Sequence, residues 1–177
     1  MADSLSDYFL ALLNFSPISR IRRNHGLEHA TLHVLAERNP RRMMGGHSDM
    51  SGFWILGEME AEELEAAVRQ ALRRLRGGEH ELAVHPNCGT NFATAGVMAG
   101  GIASLAMLGS GRRFRDRLER IPLAIVLATL ALIIAQPLGL LLQERVTTSG
   151  DPESLEVVEI IPTRRGRLKT YRIVTTG

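Results

Sequence analysis

From Ile121 to Leu142 the chain reads IPLAIVLATLALIIAQPLGLLL, 22 residues without one charge. A helix must present about 20 apolar residues to cross the hydrocarbon core of a bilayer, and this run is long enough. A second uncharged stretch, Phe92 to Leu108, is shorter and rich in Gly and Ala; it is read as a second span rather than as a buried core helix. Between the two lies GSGRRFRDRLER, with five arginines in twelve residues. The expectation is a two-helix transmembrane hairpin over residues 91–143, in a two-pass integral membrane protein with the lipid bilayer as its partner. Excess positive charge marks the cytoplasmic side, which would place both termini outside. Ten arginines in the N-terminal part and no signal peptide before them argue the reverse orientation.

The rest of the chain reads as mixed structure. The segment YFLALLNFSPI is too short to span and is read as an interfacial or packing helix. A helix is expected from about Asn24 to Glu37, capped by Asn24 and ended before Pro40. RRMMGGHSDMSG reads as a Gly-rich loop and FWILG as a short strand. EMEAEELEAAVRQALRRLRGG is the clearest helix, with Leu64, Val68, Ala71, Leu72 and Leu75 as its apolar stripe. Its glutamates come early, its arginines late, and Gly77-Gly78 stop it. ELAVHP reads as a second short strand, which permits a βαβ unit or an antiparallel pairing. SLEVVEIIPT and RLKTYRIVTT, around RRG, read as a β-hairpin. The fold class is therefore α+β: a mixed metal-site domain over 1–90, the transmembrane hairpin over 91–143, and a β-hairpin tail over 144–177.

All six histidines and the single cysteine fall between positions 25 and 88. One cysteine excludes an intramolecular disulfide and fits a thiol or a metal ligand. The net charge of +2, with arginines scattered along the chain, excludes a nucleic-acid stripe. In HGLEH, His25 and His29 are four apart and share one helix face, so both imidazoles can turn toward one zinc ion at about 2.1 Å each. Glu28 sits beside that face, placed to take a proton from a metal-bound water. The competing reading is the wet side of an amphipathic helix whose other face carries Leu27, Ala30, Val34 and Leu35. His33 continues the stripe, but about 12 Å along the axis from His25 it cannot share their ion. His47 and Asp49 in GGHSD could add a ligand or a supporting carboxylate, though a polar loop accounts for them equally.

A second element is HPNCGTNF, where His85 and Cys88 flank a Pro-Asn turn followed by Gly89. Its spacing is that of a zinc knuckle with histidine for the first cysteine; the competing reading is a turn that merely opens a membrane helix. Further along, Gly96 and Gly100 make a G-x-x-x-G pattern suited to close helix packing, within the hairpin or between subunits of a homo-oligomer. Gln136-Pro137 would kink the second span.

HxxEH resembles the inverted zinc motif of the inverzincin peptidases, in which the histidines ligate and the glutamate is the base. HGLEHAT followed by HPNCGTNF and an apolar run resembles a family of uncharacterised bacterial membrane proteins, a domain of unknown function, over roughly residues 20–110. A larger uncharacterised membrane family is similar, with Lys where this chain has Ala30. The resemblance implies one site made of His25, Glu28, His29, His85 and Cys88. The leading expectation is a membrane-embedded zinc hydrolase, a peptidase for a membrane-proximal protein or peptide substrate. In it His25, His29 and one of His85 or Cys88 hold zinc, and Glu28 is the base. Two alternatives stand beside it: a non-catalytic protein with a closed four-ligand zinc site, and a thiol enzyme using Cys88 with a histidine.

Overall fold

A computed structural model describes residues 5–111, 113–165 and 168–177. The chain divides into two units, Met1–His85 with Glu144–Gly177, and Pro86–Gln143. The first unit opens with α1 (Leu5–Asn14) and α2 (Ser16–Arg38). The expected start of α2 at Asn24 is corrected by eight residues. Phe15 is its N-cap and Pro17 lies in its first turn, where a missing N–H costs nothing and a fixed φ suits the helix. Asn24 caps nothing. It is fully buried in mid-helix, where its Nδ2 donates to the Asp49 carbonyl at 2.8 Å and its Oδ1 accepts from Thr175 Oγ1 at 2.7 Å.

β1 (Met44–Asp49) and β2 (Gly52–Gly57) follow as an antiparallel hairpin, so the expected Gly-rich loop is largely a strand. Its glycines hid the strand signal, and one of them has a steric reason. A Cβ on Gly46 would fall 2.6 Å from both Glu28 Oε1 and the Trp54 carbonyl. α3 (Ala61–Arg76) buries its whole expected stripe: Leu64, Val68, Ala71, Leu72 and Leu75. Gly78, at φ +96°, then reverses the chain. The expected strand ELAVHP is instead a 3-10 turn, His80–Ala83. The carbonyls of Ala83 and Val84, which a strand would give to a neighbour, go to His29 and His33.

β3 (Glu156–Arg165) and β4 (Leu168–Thr176) form the expected C-terminal hairpin, whose Gly166 lies outside the described residues. It does not stand apart as a tail. β4 pairs with β2, giving one four-stranded antiparallel sheet in the order β1-β2-β4-β3 and no βαβ unit. Phe53 and Ile55 of β2 and Tyr171 and Ile173 of β4 bury one sheet face in a core shared with Leu27, Val34 and Leu35 of α2 and with α3. The period-2 alternation of these strands and the helical period of α2 and α3 meet in a single apolar layer.

The second unit is α4 (Gly89–Met107) and α5 (Phe114–Leu142), packed antiparallel; a π-helical turn, Gln143–Thr147, follows α5 and leads the chain back into the first unit. α5 runs on through Pro122 and Pro137. Among the described residues only this helix, Phe114–Thr147, is long and apolar enough to cross a membrane. The expected second span is thereby corrected, because Thr90, Asn91, Thr94 and four glycines (Gly89, Gly96, Gly100, Gly101) dilute the hydropathy of α4. The pairing expected of Gly96 and Gly100 inside the hairpin is corrected too, since nothing lies within 4 Å of a Cβ placed on either. The small residues buried in the seam are on α5: Ala124, Ala131, Ala135 and Gly139.

Gly26 shows how tightly the first unit is closed. A Cβ there would sit 2.0 Å from the Ser149 carbonyl oxygen, a backbone atom that is itself tied back by Ser149 N–H donating to Arg22 O at 2.9 Å. Helix propensity favours Ala over Gly by about 1 kcal/mol, but overpacking a rigid contact costs about 1–3 kcal/mol and this overlap is severe. Gly26→Ala should therefore lower stability, read as a reduced melting temperature. An unchanged or raised value would show that the 147–149 segment yields freely.

Candidate metal centre

α2 presents His25, His29 and His33 at successive four-residue steps, and the 3-10 turn leads into His85. The four rings form a chain of contacts. Centroids are 4.4 Å apart for His25–His29, 5.6 Å for His29–His85 and 4.9 Å for His33–His85. This is not the wet side of an amphipathic helix. His29 is 2 % exposed and Glu28 3 %, while His25, His33 and His85 are half-buried.

Main-chain carbonyls fix the tautomers. His25 Nδ1 lies 2.9 Å from Thr147 O, and His29 Nδ1 lies 2.7 Å from Ala83 O. A carbonyl only accepts, so each Nδ1 carries the proton and donates it. In its neutral form each ring then has its lone pair on Nε2, the nitrogen that a metal would take, and the ring orientation is set from behind. His33 is held the other way round, with Nε2 donating to Val84 O at 2.9 Å. The imidazole of His85 is pushed down to about 4, first by burial and then by His33 and His29 beside it. It is neutral at pH 7, and its lone pair is not lost to a proton.

Glu28 leaves α2 toward β1, not along the histidine stripe. Its carboxylate accepts a short hydrogen bond from Ser48 Oγ in the space left by Gly46. His47 and Asp49 are placed elsewhere: His47 stacks on Trp54, and Asp49 accepts from Arg172 at 2.7 Å and from Ser51 N–H at 2.7 Å.

Cys88 belongs to the second unit, as the N-cap of α4. The Thr90 N–H donates to its sulfur at 3.4 Å, and the positive end of the helix dipole faces it. The thiolate is the form that binds metal. His25, His29 and Cys88 make a His/Cys set that could hold a metal ion.

Of the five residues expected to form the site, His25, His29 and Cys88 fall in that set. His85 is not in it but is in ring contact with His29 and His33, and Glu28 is turned toward Ser48. His33, too far along the helix axis to share an ion with His25, is in ring contact with His85. Its i+4 step from His29 was the signal. The supporting carbonyls of Ala83 and Thr147 carry no side-chain signature, and nothing in the sequence announced them.

Comparison with known proteins gives a family and no activity. An uncharacterized protein of Picosynechococcus sp. is 37% identical over 164 residues, covering 85% of this chain and 78% of that protein. No solved structure matches. A family model described as a domain of unknown function, DUF6391, matches residues 20–160, a span that holds every histidine and the cysteine, and the chain belongs to that family.

Proposed function

We infer that the protein is a zinc-dependent hydrolase anchored in a membrane by α5, with a peptide bond of a membrane-proximal protein as its target. The observation that carries this reading is the pair of main-chain carbonyls that lock His25 and His29 with Nε2 outward. Second-layer hydrogen bonds of this kind are what metal-bound imidazoles have. Cys88 follows His85 by three residues, and an extended chain of three residues reaches only about 10 Å. His85 is itself in ring contact with His29, so the tether limits how far the sulfur can lie from the pair. Two imidazoles and a thiolate suit zinc by softness. Three protein ligands also leave one tetrahedral position for water, the arrangement of catalytic rather than structural zinc.

Bound zinc would polarise the scissile carbonyl and acidify the water. Glu28 is the one buried carboxylate beside the ligands in sequence, and it would take the proton of that water. Ser48 holds Glu28 by its hydroxyl and would fix which oxygen faces the water. The exposed apolar side chains of α5, Leu123, Ile125, Val126, Ile133 and Ile134 among them, support a bilayer around that helix, because water would have to cover a continuous apolar surface.

A second reading has one observation in its favour. His85 is neutral and in contact with His29, so it could close the fourth position and make the zinc a structural staple.

Purified protein should carry about one zinc per chain, and His25→Ala or His29→Ala should each strip it. Zinc content unchanged in both variants would leave the histidines as packing groups. Glu28→Gln separates catalyst from staple. It should keep its zinc and its fold while hydrolysis of membrane-protein substrates falls by about 10²–10⁴. Turnover equal to wild type in that variant would remove Glu28 from the mechanism.

A further inference from the structure

The turn that carries Cys88 is braced by a chain of side-chain amides inside the second unit. Asn91, one turn into α4, closes on that turn twice: its backbone N–H donates to Cys88 O at 3.0 Å, and its Nδ2 donates to Pro86 O at 2.7 Å. Its Oδ1 accepts from Gln143 Nε2 at 2.6 Å. Gln143 stands at the end of α5 and is fully buried. One helical turn earlier, Gly139 leaves the space that Asn91 occupies; a Cβ there would lie 2.6 Å from Asn91 Oδ1 and 3.1 Å from Asn91 Cα.

A buried amide is costly unless it is paired, and α5 is otherwise almost wholly apolar between Ile121 and Leu142. Packing these two helices needs no amide at that seam, since Ala124, Ala131 and Ala135 fill it elsewhere. What the amides do secure is the path of Pro86 to Cys88. We propose that Asn91 and Gln143, with the space left by Gly139, are positioning residues that hold the Pro86–Cys88 turn so that the Cys88 sulfur is presented to the metal. This rests on the metal reading given above. Its consequence is that metal affinity depends on how α5 sits against the first turn of α4.

The test uses the full-length protein in detergent or lipid, with cobalt(II) as the probe. Wild type should bind cobalt with a sulfur-to-metal charge-transfer absorption that disappears in Cys88→Ser. Asn91→Ala and Gly139→Ala should each weaken cobalt binding by about 10–100-fold, the usual effect of losing a residue that orients a ligand, and reduce that absorption in the bound form. Gly100→Ala, where the added methyl meets nothing within 4 Å, should match wild type. If either variant loses helical circular dichroism, Gln143→Leu, which removes the amide without adding bulk, carries the comparison. A merely structural brace would lower melting temperature while leaving cobalt affinity and the sulfur band of the folded protein unchanged. That result would overturn the positioning role and leave the metal site standing. Failure of wild type to bind cobalt at all would overturn the metal reading, and this proposal with it.

Discussion

Two hydrogen bonds organise the first unit around its histidines: His25 Nδ1 to Thr147 O and His29 Nδ1 to Ala83 O. Each joins α2 to a segment more than fifty residues distant in sequence, and each gives an imidazole a defined tautomer. Thr147 and Ala83 can be where they are only because neighbouring contacts hold them. Ser149 ties the 147–149 segment to Arg22, and Gly26 lets that segment lie against the helix backbone. Ala83 ends a 3-10 turn whose Leu82 and Ala83 side chains are sunk in the core. A helix that would otherwise show the solvent a polar stripe is thus covered on both faces.

The glutamate next to the second histidine faces a different element. Glu28 is surrounded by β1, where Gly46 leaves room and Ser48 supplies a hydrogen bond. The same helix therefore sends imidazoles one way and a carboxylate another, about 100° apart, as a 3.6-residue period requires for adjacent positions. For the proposed hydrolysis the carboxylate would have to reach a water on the ion, not the ion itself. We propose an open zinc site made from two main-chain-locked imidazoles and one thiolate.

Much of this was legible in the residues. The i, i+4 histidines and the apolar stripe of α3 are periodic patterns, and these survive in three dimensions. What could not be read was whatever depended on partners far along the chain. β1 was hidden because Gly45 and Gly46 carry no alternation, and its strand state comes from pairing with β2. ELAVHP had the composition of a strand, but its carbonyls were already committed to histidines. Asn24 looked like a cap because asparagine usually is one, while the actual start of α2 at Ser16 followed from Pro17. α4 has no charge, yet absence of charge is weaker than apolarity; among the described residues only α5 reaches the hydropathy of a span.

X-ray absorption at the zinc edge addresses the open site most directly. An open site predicts two nitrogen ligands at about 2.0–2.1 Å, one sulfur at about 2.3 Å and one oxygen at about 2.0–2.2 Å that exchanges with solvent. A first shell of three nitrogens and one sulfur with no exchangeable oxygen would contradict it, making His85 the fourth ligand and the zinc a closed staple.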